Sequence, residues 1–97
     1  MISVANNRVE VAGPVTMAES AKLLVEGTAA LGSLETGKVA EFDLAGVTNI
    51  DSSALAVVFG WMRAAQVRGK LVSLVNPPQN LLSLATVYGV TDLLPQH

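Results

Sequence analysis

The sequence predicts an α/β fold, in which a small mixed β-sheet with an N-terminal hairpin and a parallel strand–helix–strand core is packed by three to four helices. The hairpin is indicated by Arg8–Ala12, where polar and apolar residues alternate, directly after the turn-forming pair Asn6-Asn7. The parallel core is indicated by a long apolar helix, about Ala54–Val67, between the short apolar strands Val39–Leu44 and Leu71–Val75. A crossover of this kind is right-handed in nearly all known sheets.

The first half of the chain predicts two strands and one helix. Ile2–Ala5 supplies the first strand, and Gly13-Pro14 is expected to end the second. Thr16 is suited to cap the helix, and Glu19 three residues later completes a capping-box pattern. Gly27 is a weak point within it. The apolar residues of this helix recur at helical spacing and are predicted to face the core: Met17, Ala21, Leu24, Val25, Ala29 and Leu31.

The central helix is apolar on two faces. One stripe is predicted to face the core: Leu55, Val58, Phe59, Met62 and Gln66. A second stripe lies about 100° around the helix: Ala54, Val57, Trp61 and Ala65. A surface helix needs only one such stripe, so the second must be covered by this chain or by another protein. Trp61 is therefore either an interface anchor, a role in which tryptophan is enriched, or a residue packed under the hairpin or the first helix.

The last part of the chain predicts a further helix and a short closing segment. Asn76-Pro77-Pro78 starts the helix, because proline suits a first turn, and Gly89 ends it. The inward stripe is predicted from its spacing: Leu81, Leu84, Ala85 and Tyr88. Thr91–Leu94 closes the fold. No linker or internal repeat interrupts the sequence, so residues 1–97 are expected to form a single domain.

Composition excludes several classes of function. Hydrophobic residues make up 51% of the chain and charged residues only 14%, so apolar surface is expected to face a partner. The net charge is -2 and the lysines and arginines are scattered, which argues against binding to nucleic acid. There is no cysteine and His97 is the only histidine, which excludes disulfides and zinc sites built on several His or Cys ligands. We expect a cytoplasmic protein, because neither a signal peptide nor a membrane-spanning run of about 20 apolar residues is present.

The loop Asp51-Ser52-Ser53 precedes the central helix and consists of three good N-cap residues. The free N–H groups at a helix N-terminus also stabilise a phosphate, so the loop is either an ordinary helix start or a chemical switch. A serine nucleophile needs a base, and the only histidine is terminal, which argues against catalysis. Asp43 and Asp51 could form a pair of carboxylates, although the ordinary interpretation is that each bonds backbone N–H groups. We expect no enzyme, and no catalytic, cofactor-binding or metal-binding residue.

The segment Ile50–Leu55, which reads Ile-Asp-Ser-Ser-Ala-Leu, resembles the signature loop of STAS domains, named for sulphate transporters and anti-sigma-factor antagonists. In the antagonists the motif is Asp-Ser-Ser-Gly-Leu-Gly, and the serine directly after the aspartate is phosphorylated. The resemblance implies the STAS fold for nearly the whole chain and Ser52 as the phosphorylated position. Ala54 and Ala56 stand where many relatives carry glycine.

Two functions are implied by this resemblance. Leu81–Val90 and Asp92–Pro95 are most similar to the small cytoplasmic STAS subunits of phospholipid-transport ABC complexes, which maintain outer-membrane lipid asymmetry. Such a subunit regulates or stabilises the ATPase subunit of the transporter and meets the membrane only through that partner. The expected contact residues are Asp51, Ser52, Ser53, Ala54, Val57 and Trp61. The alternative is an anti-sigma-factor antagonist, whose Ser52 is phosphorylated by a partner kinase to control the release of a sigma factor.

Overall fold

The computed structural model describes residues 1–34 and 37–94, so that His97 lies outside the described residues. The elements follow in the order β1 (Ile2–Ala5), β2 (Arg8–Val15), α1 (Met17–Leu31), β3 (Val39–Ile50), α2 (Ser53–Val67), β4 (Leu71–Val75), α3 (Gln79–Val87) and a 3-10 turn (Thr91–Leu93). Within the described ranges, none of the helices has the length and apolar character needed to cross a membrane.

The four strands form one mixed sheet in the order β1-β2-β3-β4. β1 and β2 pair in antiparallel fashion, with Ala5 opposite Arg8. Between them, Asn6 and Asn7 have φ values of 55° and 57°, which is the left-handed pair that a tight hairpin turn requires. β3 pairs in parallel with β2 on one side and with β4 on the other. The predicted hairpin and parallel core are confirmed.

Two strands extend further than predicted. β2 continues through Gly13-Pro14 to Val15, and β3 continues past Leu44 to Ile50. The two extensions pair with each other, with Val15 opposite Ile50 and a break in register that accommodates the proline. The prediction that Gly13-Pro14 ends the strand was wrong, because the pairing that prolongs it comes from a distant part of the chain. As a result, α1 and α2 begin side by side.

The hydrophobic core lies between one face of the sheet and the helices. Alternate residues of β2, β3 and β4 supply it: Val9, Val11, Ala40, Phe42, Leu44, Val72 and Leu74. The ring of Phe42 stacks on that of Trp61, with centroids 4.7 Å apart. The opposite face of the sheet is polar along β2 and β3, where it carries Arg8, Glu10 and Glu41.

The degree of burial of the two apolar stripes of α2 differs from the prediction. The second stripe is the more deeply buried one, since none of its members exposes more than 2%: Ala54, Val57, Trp61 and Ala65. In the first stripe Phe59 and Met62 are half-buried and Gln66 is exposed. The second stripe is deeply buried because α1 packs closely on α2. The distance between the two helices is so short that a Cβ atom added at Gly60 would lie 2.5 Å from Leu24 Cδ1. This chain itself therefore covers the second stripe.

α1 packs on α2 through a glycine. A Cβ atom at Gly27 would overlap the indole Nε1 of Trp61, so this position has room only for hydrogen. The buried residues of α1 are Leu23, Gly27, Ala30 and Leu31. Most of the predicted inward face was wrong, since four of its members are exposed: Met17, Ala21, Val25 and Ala29.

α3 ends at a glycine, as predicted. Gly89 has a φ of 69°, and the N–H of Val90 donates to the carbonyl of Ala85 at 2.8 Å, which closes the helix with a Schellman motif. Leu81 and Ala85 are buried, but Tyr88 is 57% exposed. The predicted inward position of Tyr88 was wrong because the helix ends one residue before it.

Candidate functional site

The loop before α2 is built around the carboxylate of Asp51. Its Oδ2 accepts a hydrogen bond from the backbone N–H of Met17 at 2.9 Å. Its Oδ1 accepts one from the backbone N–H of Ser53 at 2.9 Å, and another from the Ser53 hydroxyl. One carboxylate therefore caps the first turns of both α1 and α2. The predicted cap by the side chain of Thr16 is wrong, since it makes no capping bond, and Asp51 is brought there by the pairing of β2 with β3.

The same bonds keep Asp51 ionised. The hydroxyl of Ser53 and then the N–H of Met17 hold the pKa of Asp51 below its ordinary value, and the backbone N–H of Ser53 adds to the effect. The bond from the Ser53 hydroxyl holds the loop in shape.

Ser52 is the exposed residue of this loop. Its backbone is helical, with φ −61° and ψ −22°, and its side chain makes no capping bond. The capping role belongs to Asp51, so the helix does not need the hydroxyl of Ser52. A solvent-exposed hydroxyl at a helix N-terminus is available both to a partner surface and to a modifying enzyme.

Three of the six predicted contact residues lie in the core. Trp61 is 1% exposed and donates its Nε1–H to the carbonyl of Leu23 at 3.1 Å. Ala54 and Val57 are each 2% exposed. The interpretation of Trp61 as a surface anchor is corrected, because its ring fills the space between α1 and the sheet. Ala54 and Val57 are likewise covered by this chain itself.

A shallow hollow of about 510 Å³ lies beside the loop, between Asp51 and α3. The wall that α3 contributes is formed by Asn80, Ser83, Leu84 and Val87. Val87 is 79% exposed, which makes it an apolar surface residue close to the loop. The sequence reasoning missed Asn80, Ser83 and Val87 as candidates. These three residues could have been found from their helical spacing, because positions 80, 83 and 87 lie together on the face of α3 opposite Leu81.

Asp43 does not pair with Asp51. Its Oδ1 accepts hydrogen bonds from the backbone N–H of Ala45 at 2.9 Å and from the Asn76 amide at 3.2 Å, and its Oδ2 pairs with Arg8 at 3.3 Å. The N–H of Ala45 first, and then Asn76 and Arg8, hold the pKa of Asp43 below its ordinary value. Each carboxylate therefore has donors of its own. In the part of the chain that the structure describes, no group of acidic or histidine side chains is arranged to hold a metal ion.

Comparison with known proteins identifies the family. The family described as "Mlab, STAS domain" matches residues 2–95. This chain belongs to the STAS family. The protein of Haemophilus influenzae (strain ATCC 51907 / DSM 11121 / KW20 / Rd) titled "Intermembrane phospholipid transport system binding protein MlaB" is 37% identical over 54 residues, which are 56% of this chain and 51% of that relative. The match thus spans about half the length of the curated relative, and the predicted similarity is confirmed.

Solved structures have the same fold. The anti-sigma factor antagonist SpoIIAA in its unphosphorylated form has a TM-score of 0.65 at 16% identity, over 100% of this chain and 86% of that chain. The phosphorylated form of Bacillus SpoIIAA has a TM-score of 0.66 at 14% identity, over 100% and 89%. A sulfate transporter family protein from Wolinella succinogenes has a TM-score of 0.67 at 19% identity, over 97% and 79%. The predicted STAS fold is confirmed.

Proposed function

We propose that this STAS protein is a non-catalytic subunit that binds the ATPase subunit of an ABC-type phospholipid transporter and stabilises its assembled, active form. The observation that carries the proposal is the exposed Ser52, on a loop that the Asp51 carboxylate fixes to two helices. A loop that is already fixed in shape loses little conformational entropy when it binds. This favours the tight binding expected of a permanent subunit. The similarity to MlaB supports the choice of a transporter as the partner.

The contact surface consists of the loop residues that reach the surface and the hollow beside them. Asp51 and Ser53 are half-buried and Ser52 is exposed, while Val87 adds apolar area on the far side of the hollow. Ala54, Val57 and Trp61 support this surface from below. Their role is to hold α2 in place, and the partner does not touch them.

Stabilisation follows from differential binding. A subunit that binds the competent conformation of the ATPase more tightly than other conformations shifts the population towards it. The protein needs no chemistry of its own for this role, and the Ser53 hydroxyl is engaged by Asp51. The protein is held at the cytoplasmic side of the membrane only through its partner.

The test is to express the tagged chain with the ATPase and permease subunits of its host's phospholipid transporter. We expect the chain to purify in a complex with the ATPase, and we expect ATP hydrolysis by that complex to fall when the chain is left out. An ATPase and permease that assemble and hydrolyse ATP equally well without the chain would contradict the proposal.

The second candidate is an anti-sigma-factor antagonist controlled by phosphorylation. It is favoured by the Ser52 hydroxyl, which is exposed and not used for capping. A phosphate there adds a charge of about −1.5 to −2 next to the ionised Asp51, which repels an acidic or apolar partner surface. Incubation with the host's anti-sigma kinase distinguishes the two functions. Phosphate on Ser52, seen by mass spectrometry, together with release from that kinase, would support the antagonist and contradict the transporter subunit.

A further inference from the structure

β1 is an outermost strand of the sheet, and its outer side is open. Among the described residues, the sheet places β2 beside it and no strand on its other side. Met1 and Ala12 exchange two backbone hydrogen bonds, of 2.7 and 2.9 Å. Because hydrogen-bonded pairs alternate along an antiparallel ladder, the backbone groups of Ser3 also point to β2. Those of Ile2 and Val4 point away from the sheet, where they can pair with a further strand.

The β1 edge lacks the charge, proline and bulge that commonly keep sheet edges from pairing. The strand reads Ile-Ser-Val-Ala, and Val4 is 39% exposed. The opposite edge of the sheet differs, since three consecutive residues of β4 are buried: Val72, Ser73 and Leu74. β1 is therefore the edge at which the backbone of another strand can be added.

Contacts of Trp61 show which part of α1 lies level with β1. The ring of Trp61 stacks on Phe42, and the pairing of the strands places Phe42 level with Val4, two strands away. The indole of Trp61 also lies against Gly27 and donates to the carbonyl of Leu23. The middle of α1, around these two residues, is thus level with the middle of β1.

α1 carries two opposite charges on its flank above the β1 edge. α1 packs over β1 and β2, whereas α2 packs over β3 and β4, so that α2 covers only one flank of α1. Leu24 faces α2, where it lies against Gly60. Lys22 and Glu26 are each two residues from Leu24 and therefore lie about 200° around the helix from it, on the other flank.

Neither of these charges is paired within the part of the chain that the structure describes. Lys22 is exposed, and both ion pairs of the described residues are made by Arg8. The Oε1 atom of Glu26 is buried and accepts no hydrogen bond. A buried carboxylate oxygen without a donor costs free energy, so a cation brought to Glu26 would stabilise it.

We infer that two copies of this chain pair in antiparallel fashion through β1, about a two-fold axis at Ser3, and join their sheets into one. Ile2 of each copy lies opposite Val4 of the other, and each such pair exchanges both of its N–H···O bonds. The two α1 helices then also run antiparallel, so that Lys22 of each copy meets Glu26 of the other.

A second copy is the occupant because this surface is complementary to itself, as a two-fold interface requires. The two charges stand on either side of Leu24, which is level with the axis, and a two-fold rotation exchanges them. The dimer does not depend on the transporter partner. α1 separates the β1 edge from α2, so the Ser52 loop stays uncovered in the dimer.

The first test is a disulfide across the axis. The chain contains no cysteine, so Ser3→Cys introduces a single thiol. The two Ser3 residues form a non-hydrogen-bonded pair with Cα atoms about 4.5 Å apart, a distance that a disulfide bridges. Ser33→Cys, at an exposed serine beyond the end of α1, is the control. We expect mild oxidation of the purified chain to link at least about ten times more of Ser3→Cys than of Ser33→Cys into dimers. Equal yields would overturn the inference.

The second test exchanges the charges. Lys22→Glu and Glu26→Lys each place like charges opposite one another, and sedimentation equilibrium should show a dimer Kd at least about tenfold above that of the wild type. An equal mixture of the two variants pairs opposite charges again and should restore the dimer. Contacts between the two residues within one helix would not produce this rescue by mixing. Lys38→Glu, at an exposed position away from α1, is the control and should change the Kd less than about threefold.

Two results would overturn the inference. One is a wild-type chain that sediments as a monomer at concentrations up to about 1 mM. The other is a dimer that both charge variants leave intact, since its contact would then lie elsewhere on the molecule. Circular dichroism checks that each variant is folded, and the disulfide test decides the question if Glu26→Lys is not.

Discussion

The carboxylate of Asp51 bonds the backbone N–H of Met17, which lies 34 residues earlier in the chain, at a distance of 2.9 Å. The same carboxylate bonds Ser53 at the start of its own helix. In this way the aspartate of the STAS signature joins the N-termini of α1 and α2. It also explains why Ser52 is left exposed, because neither helix requires its hydroxyl for capping.

We expect Asp51→Ala to lower the midpoint of urea unfolding without changing the slope of the transition. The change removes acceptors from two helix N-termini, and unpaired N–H groups at a helix end destabilise the fold. Asp51→Asn should lower the midpoint less, because its remaining oxygen still accepts one of the bonds. Asp92→Ala, at an exposed aspartate of the final 3-10 turn, is the control. Equal midpoints for Asp51→Ala and Asp92→Ala would contradict the double-capping role.

Stability should depend on pH through two carboxylates. Asp43 and Asp51 both have pKa values below the ordinary 3.8 in the folded protein. As the pH falls, the unfolded chain therefore binds a proton at each of these carboxylates before the folded protein does. The contribution of the two carboxylates to the free energy of unfolding is fully present above about pH 4, and it is lost as the pH falls through their pKa values in the folded protein. Urea unfolding between about pH 2 and pH 7 measures the effect. In the Asp43→Asn, Asp51→Asn double variant the loss of stability at acid pH should be smaller than in the wild type. A double variant whose stability depends on pH in the same way as that of the wild type would contradict the prediction.

Trp61 should contribute to stability and not to docking. Trp61→Ala removes a buried ring stacked on Phe42 and is expected to cost about 3–5 kcal/mol of unfolding free energy. Trp61→Phe keeps a ring but removes the additional hydrogen bond that the indole N–H donates to the carbonyl of Leu23, which should cost about 0.5–1.5 kcal/mol. Trp61→Phe should bind the ATPase with the wild-type Kd. A large loss of affinity with unchanged stability would instead make Trp61 an interface residue.

Gly27 should tolerate no side chain. Gly27→Ala forces a methyl group into the indole of Trp61 and is expected to cost about 1–3 kcal/mol through overpacking. Gly32→Ala at the end of the same helix is the matched control, since its φ is −71° and the nearest atom to an added Cβ is 3.4 Å away. The control should change stability by no more than about 0.5 kcal/mol. Similar thermal midpoints for the two variants would show that α1 and α2 are not packed as closely as described.

The order of elements could be predicted because local signals determine it. The Asn6-Asn7 turn and the alternation after it indicate a hairpin, and a single apolar helix between two strands indicates a parallel core. The orientation of the helices could not be predicted in the same way. α2 is apolar on nearly every side, so periodicity cannot show that Trp61 is buried more deeply than Met62.

The errors at the candidate site have a common physical cause. Gly27 has low helix propensity, and its value lies only in the space it leaves for Trp61. The cap of α1 was assigned to Thr16 from a local pattern, whereas the acceptor is a residue of the distant loop. Contacts between residues far apart in sequence leave no local spacing to detect. The Asp51-Ser52-Ser53 loop itself was recognised because its residues are adjacent.

The measurement that tests the account most directly is the affinity of Ser52→Arg for the transporter ATPase. Ser33→Arg, which carries the same change at an exposed serine beyond the far end of α1, is the control. If Ser52 lies in the contact, the new charge must be desolvated there, and we expect the Kd to rise at least about tenfold for Ser52→Arg while Ser33→Arg keeps the wild-type value. Wild-type affinity in the folded Ser52→Arg variant would contradict docking through this loop.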